Sequence, residues 1–179
     1  YFYFTLVRQY GGVPFKTHNT TGTEETALPR TSADEIFDFI ANECDSIKDK
    51  IIEDYSADKE HILAKAETGR ANKYAVLALK AQAALYHASP LFSQGKSADE
   101  KKALWAAAVA AHKELIDAAE AKGMGLASDI ALLWDTEYYS NAESSKEIIF
   151  ARRTASANTF ETYNFPVGYS SAQGGNCPT

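Results

Sequence analysis

The stretch SADEIFDFI, residues 32–40, decides the fold class, because it carries a complete helix start followed by an apolar face. Ser32 and Glu35 stand three residues apart, the spacing of a capping box, in which a hydroxyl and a carboxylate satisfy the first free amides of a helix. Apolar residues then recur at steps of three and four, namely Ile36, Phe37, Ile40, Cys44, Ile47 and Ile51. The pattern predicts an amphipathic helix that ends near Ile52.

A second long helix is predicted from about residue 72 to residue 88. It is rich in alanine, and small side chains let neighbouring helices approach closely, so we expect contacts on several of its sides. Pro90 ends it, because proline cannot continue a helical hydrogen-bond pattern.

A third helix is predicted to begin after Ser97, which again has a glutamate three positions on at Glu100, and to end at Lys122 before Gly123. We expect its buried face to consist of Leu104, Trp105, Ala108, His112, Leu115, Ile116 and Ala119. On such a face His112 is expected to be a hydrogen-bonded core or boundary residue.

The first ten residues also have a helical pattern, which Gly11, Gly12 and Pro14 end. Their aromatic side chains need partners, either in later helices of the chain or in residues preceding Tyr1. Successive antiparallel helices with alanine at the contacts are typical of tetratricopeptide-like arrays, and a simple alanine-rich bundle explains them about equally well.

The pattern changes near residue 123, so we predict a helical scaffold over residues 1–123 and a loop-rich part over residues 124–179. The fold class is therefore mainly α, with an irregular C-terminal portion. Within that portion we predict a short helix over residues 130–134 and a short strand over residues 147–152, whose residues are β-branched and aromatic.

Composition excludes several classes of protein. The formal net charge of −6 and the absence of a basic cluster argue against nucleic-acid binding. The longest run of small apolar residues is much shorter than the roughly 20 residues that span a bilayer. Cys44 lies on an apolar helical stripe and is expected to be a buried, inert thiol, whereas Cys177 falls in a loop sequence.

Motifs for catalysis and metal binding are missing from the sequence. The four histidines have no metal-ligand spacing, and the glycine-rich residues 168–175 fit neither a phosphate-binding loop nor a nucleophile elbow. We therefore expect no metal and no cofactor. A pair of carboxylates for glycoside hydrolysis stays open at this point, because the separation of such a pair is spatial and leaves no spacing in the sequence.

Aromatic and amide side chains are concentrated in the last third of the chain. Aromatic rings stack on the C–H faces of sugars while amides bond hydroxyl groups, so this composition suits sugar recognition. The alternative is that these rings only pack the loops against the helices. For any one residue the composition does not distinguish this packing role from a role in sugar binding. The predicted ligand-binding residues are Trp134, Tyr138, Tyr139, Tyr163, Asn164 and Tyr169.

Several stretches resemble the SusD/RagB family of surface nutrient-binding lipoproteins of Bacteroidetes. Residues 4–15 are similar to that family's first helix end and Tyr-Gly-Gly-Val-Pro turn, and residues 30–36 to its next helix start. The other similar stretches are residues 69–73, 85–92, 147–150, 164–169 and 174–179. The order of these motifs along the chain is more specific than any one of them.

The resemblance implies a tetratricopeptide-like scaffold and a non-catalytic protein that captures oligosaccharides at the outer cell surface for a SusC-like TonB-dependent transporter. It also implies a lipid anchor upstream of Tyr1, which would be the only membrane attachment, and further family sequence after Thr179. Three alternatives remain: a peptide-binding RagB-like protein of the same architecture, a helical-repeat adaptor that binds another protein and, least favoured, a glycoside hydrolase.

Overall fold

The computed structural model describes residues 1–19, 28–53, 55, 70–130 and 146–150. Within these ranges the fold is mainly α, as predicted, and no extended strand occurs apart from an isolated antiparallel bridge between Val13 and Thr31. The described helices are α1 (Phe2–Tyr10), α2 (Ala33–Ile47), α3 (Lys73–Ala88) and α4 (Ala98–Glu120).

The helix starts are those that the sequence predicts. The Ser32 hydroxyl accepts a hydrogen bond from the Glu35 amide at 3.2 Å, while the Glu35 carboxylate accepts from the Ser32 amide at 3.1 Å. Ser97 and Glu100 form the same reciprocal box at the start of α4. At α3 the Asn72 side chain accepts from the Ala75 amide at 3.1 Å. Each cap depends on residues close in sequence, which is why spacing alone identifies it.

The helix ends agree less uniformly with the sequence. Gly11 and Gly123 have φ values of +69° and +74°, and the Met124 amide bonds back to the Ala119 carbonyl, which closes α4 at the expected place. Helix α2, however, ends at Ile47, about one turn before the predicted end. In the next turn the Lys50 amide donates a hydrogen bond to the Ile47 carbonyl, three residues back. The spacing of apolar residues does not predict this tighter turn.

The core lies where α1, α2 and α3 meet. Phe4 and Val7 are buried there, so α1 finds its partners within the chain, and the Phe4 ring lies edge-on to that of Tyr86 at 5.4 Å between centroids. Phe37 of α2 stacks on the His87 ring at 5.0 Å. Cys44 is also buried here, and burial raises the pKa of its thiol, as expected for an inert cysteine.

Adjacent helices run antiparallel. Three acidic side chains, from the start of α2 to the turn after it, contact basic side chains from the end of α3 to its start: Asp34 with His87, Asp45 with Lys80, and Asp49 with Lys73. Helix α3 contacts both α2 and α4, as expected for its alanine-rich sequence, while α1 contacts α2.

The predicted buried face of α4 is partly wrong. Its buried residues are Ala108 and Ala111, whereas Trp105 is 45% exposed and Ile116 is 51% exposed. His112 is half-buried, and its Nδ1 lies 2.8 Å from the Ala108 carbonyl, as predicted for a boundary histidine. The helix turns its alanines toward α3, because small side chains allow closer packing, and the larger apolar residues lie beside that contact.

The predicted strand over residues 147–152 is also wrong for the part that the structure describes. Residues 146–150 form turns and bends, and Phe150 is 54% exposed. A strand needs a neighbouring strand for its backbone, and the described chain supplies a single backbone bond here, from the Gly125 amide to the Lys146 carbonyl at 3.2 Å. Most of the predicted helix over residues 130–134, Cys177 and most of residues 124–179 lie outside the described residues, so the division at residue 123 stays a prediction.

Candidate functional site

The predicted ligand-binding residues Trp134, Tyr138, Tyr139, Tyr163, Asn164 and Tyr169 all lie outside the described residues. The chain that flanks the first three of them is described. Beside the Gly125–Lys146 backbone bond, the Ala127 amide donates to the Glu147 carboxylate at 3.0 Å. The described residues on either side of this stretch, 125–127 and 146–147, therefore lie side by side just after α4.

The end of α4 is fixed to the rest of the scaffold through Glu53. One oxygen of this carboxylate lies 3.1 Å from Lys122 Nζ, and the other accepts a hydrogen bond from the Tyr74 hydroxyl, also at 3.1 Å. These bonds join the segment after α2, the start of α3 and the end of α4. A rigid base of this kind is what a ligand-binding loop region needs, since loops are positioned by the elements from which they emerge.

A second surface feature is an apolar groove beside the contact of α3 and α4, with a volume of about 490 Å³. We call it the α4 groove. It is lined by Leu85, Trp105, Ala108, Val109, His112, Lys113, Ile116 and Asp117. Its side chains offer contact area and few hydrogen-bonding groups, so the groove suits an apolar partner better than a sugar.

Sequence reasoning assigned part of the α4 groove to the core. Trp105, Val109 and Ile116 lie about 120° or more around the helix from the buried Ala111, away from the side that packs on α3. The apolar pattern covers both sides and does not tell whether a partner covers the second one.

Asp34, in the first turn of α2, contacts two basic side chains, His87 and Lys96. Its two oxygens lie 2.8 Å from His87 Nε2 and 2.6 Å from Lys96 Nζ. Burial raises the pKa of Asp34, but the hydrogen bonds from Lys96 and His87 together outweigh it and hold that pKa below its ordinary value. The carboxylate therefore stays ionised and joins α2 to α3 and to the turn before α4.

A four-charge group joins α2, α3 and α4, which we call the three-helix charge cluster. It consists of Asp45, Lys48, Lys80 and Glu114, and each lysine contacts both carboxylates. Hydrogen bonds from Lys48 and Lys80 lower the pKa of both Asp45 and Glu114. With every charge paired, the cluster stabilises helix packing and leaves no carboxyl in it with the raised pKa that a general acid needs.

Two of the motif stretches that carry the family resemblance contact each other in the described chain. Arg30 donates from Nε to the Gly12 carbonyl and from Nη2 to the Tyr10 carbonyl, both at 2.6 Å. The turn after α1 and the start of α2 are thereby joined, and the Val13–Thr31 bridge joins them a second time. These motifs consequently identify a scaffold more than a ligand site.

The described residues contain no group of three or more histidine, cysteine or acidic residues placed to hold a metal ion. None of the helices in the described ranges is long and apolar enough to cross a membrane.

Comparison with known proteins adds one finding. No family model and no curated protein matches the chain. Among solved structures, the fold is similar to that of a SusD-like protein from Bacteroides fragilis, with a TM-score of 0.62 and 24% sequence identity. The alignment covers 89% of this chain and 26% of that protein, so this chain spans about a quarter of its length. At this identity the likeness establishes the mainly helical, tetratricopeptide-like fold that the sequence predicts.

Proposed function

We propose that this chain belongs to a SusD/RagB-type protein that binds nutrient oligosaccharides at the bacterial cell surface without transforming them. The observation that carries the proposal is the similarity of its fold to a SusD-like protein over 89% of the chain. The motifs that resemble the SusD/RagB family, which occur in the family's order along the chain, support the same assignment.

The proposed protein is attached to the outer membrane by a lipid and passes its ligand to a SusC-like TonB-dependent transporter. The helical scaffold provides the rigid base, and the loop region that begins at the end of α4 provides the ligand contacts. In that region Trp134, Tyr138, Tyr139 and Tyr163 are proposed to stack on sugar rings, with Asn164 and Tyr169 bonding hydroxyl groups. The hydrogen bonds that join Gly125 and Ala127 to residues 146–147 support this placement.

Isothermal titration calorimetry against a panel of soluble oligosaccharides, with oligopeptides as a second panel, tests the proposal. Binding of a glycan is the expected result. Binding of peptides without binding of glycans would favour the RagB-like, peptide-binding alternative. No binding in either panel would contradict nutrient binding.

The chain offers a matched pair of variants, because its two tryptophans lie in different places. Trp134→Ala removes a predicted stacking ring and is expected to weaken glycan binding roughly tenfold, the order of one aromatic contact. Trp105→Ala removes the exposed ring of the α4 groove and is expected to leave glycan affinity unchanged. Equal losses of glycan affinity in the two variants would contradict a ligand site at Trp134.

A further inference from the structure

The α4 groove is lined by large apolar side chains that are exposed to solvent. Val109 is 66% exposed, Leu85 is 40% exposed, and Trp105 and Ile116 are about half exposed beside them. These four side chains are contiguous along the groove rather than scattered. Contiguous apolar surface on a soluble domain marks a site of association, because it is stabilised when another apolar surface covers it.

We propose that the occupant of the α4 groove is a second copy of this chain. In the proposed dimer the two α4 helices pack antiparallel, about a two-fold axis that passes between positions 110 and 111. The proposal rests on residues of α3 and α4 alone and does not depend on the proposed function.

The apolar residues of α4 are arranged symmetrically about that axis. Trp105 lies as far before it as Ile116 lies after it, and Val109 and His112 are related in the same way. In an antiparallel pair Trp105 of each copy therefore meets Ile116 of the other, and Val109 meets His112. All four positions lie within a 60° arc of the helix, since 3.6 residues complete one turn. A two-fold contact requires this property, that one surface is complementary to itself.

The charges on α4 select the antiparallel arrangement. Lys102 and Glu120 are both exposed, and they lie 18 residues, or about five full turns, apart on the same side of the helix. In the antiparallel pair Lys102 of each copy lies beside Glu120 of the other, which gives two ion pairs by symmetry. A parallel pair would instead leave Lys102 of one copy and Glu120 of the other at opposite ends of the contact, too far apart to form an ion pair. Among the described residues neither side chain has another ion-pair partner, whereas Lys113 and Asp117 already pair with each other at 2.9 Å.

The size of the surface sets the expected affinity. One helix face buries less than the roughly 800 Å² per partner of a standard stable interface. We therefore expect a reversible dimer with a dissociation constant in the micromolar range. Dimers of this strength are populated at high local concentration, for instance when molecules are confined to a surface.

Sedimentation equilibrium of the chain from about 1 to 200 μM tests the proposal. The expected result is a mass that rises from monomer toward dimer with concentration. A monomer at every concentration overturns the proposal, and so does a trimer or larger assembly, because a two-fold contact closes at two copies.

Charge reversal tests the arrangement of the two helices. Lys102→Glu and Glu120→Lys each place like charges together in both symmetric pairs and are expected to weaken the dimer roughly tenfold. The double variant Lys102→Glu/Glu120→Lys exchanges the two signs and is expected to restore wild-type association. A double variant as weak as the single ones overturns the antiparallel pairing.

Val109→Glu provides the test at the centre of the contact. It places two carboxylates next to the axis and is expected to weaken the dimer more than tenfold, while unchanged association of this variant overturns the use of the groove. Every variant is compared by circular dichroism and thermal unfolding. These positions are exposed in the monomer, so their helix content and melting temperature are expected to match the wild type.

Discussion

Arg30 and Gly12 show how single residues give this chain its turn between α1 and α2. The guanidinium satisfies two carbonyl groups at the end of α1, which lack partners within that helix. Gly12 lets the chain pass so close to the next segment that a Cβ added to it would lie 2.5 Å from the Thr31 carbonyl oxygen. The turn therefore depends on a residue without a side chain at this position.

Replacement of Gly12 by alanine is expected to destabilise the protein by about 1 to 3 kcal/mol, because the added methyl group meets backbone and neither segment can move without breaking the Val13–Thr31 bridge. Urea unfolding followed by circular dichroism measures the loss. Gly125→Ala is the matched control, since nothing lies within 4 Å of a Cβ built there. Identical unfolding midpoints for the two variants would contradict the close approach at Gly12.

At the scale of the helices, local chemistry explains the starts and tertiary contacts explain the exposed faces. A capping box involves residues three positions apart, so the beginnings of α2 and α4 could be predicted from spacing alone. The exposure of Trp105 and Ile116 could not be predicted in this way. An apolar pattern indicates which residues favour burial, but not whether another element covers them. The strand predicted over residues 147–152 does not form in its described part, residues 147–150, for a related reason. A strand needs a partner strand, which comes from residues far away in the sequence.

The caps themselves are testable. Ser32→Ala and Ser97→Ala each remove the acceptor of an N3 amide and are expected to cost about 1 kcal/mol, which lowers the melting temperature by roughly 2 to 4 °C in a chain of this size. Ser46→Ala is the control, because the Ser46 hydroxyl only donates to the Glu43 carbonyl, which lies within α2. Differential scanning calorimetry that finds no difference between cap and control variants would contradict the stabilising role of the boxes.

The three-helix charge cluster gives stability a specific dependence on pH. Asp45 and Glu114 have pKa values below their ordinary 3.8 and 4.5, so the folded protein binds fewer protons in acid than the unfolded chain does. Their contribution is complete above those ordinary values and is lost as the pH falls through the lowered ones. Acidification is therefore expected to decrease the free energy of unfolding.

Glu114→Gln removes one of these groups and is expected to make that decrease shallower below about pH 5. Urea unfolding at a series of pH values measures the slope. Glu43→Gln, an exposed glutamate of the same scaffold that forms no ion pair among the described residues, is the control and should keep the wild-type slope. If the two variants have the same slope, the cluster does not supply the acid sensitivity.

At the scale of the whole molecule, the scaffold and the proposed ligand site depend on different kinds of sequence information. The motifs at residues 10–14, 30–36 and 85–92 meet in one packed region, where Arg30 bonds to the turn after α1 and Asp34 bonds to His87. Such contacts specify a fold, which is why the sequence predicted the fold well. Ligand contacts arise from loops that come together only in space, so composition indicates their chemistry and their region without indicating their geometry.

The central claim is that the chain binds a nutrient through the region that follows α4. Trp105→Phe leaves Trp134 as the single tryptophan, so the fluorescence of this variant reports on the proposed site alone. Titration of Trp105→Phe with the oligosaccharide panel is expected to give a saturable change in fluorescence with at least one glycan, at the affinity that calorimetry gives for the wild type. A glycan that binds by calorimetry but leaves Trp134 unchanged would contradict the proposed site, and the absence of any binding by either method would contradict the claim itself.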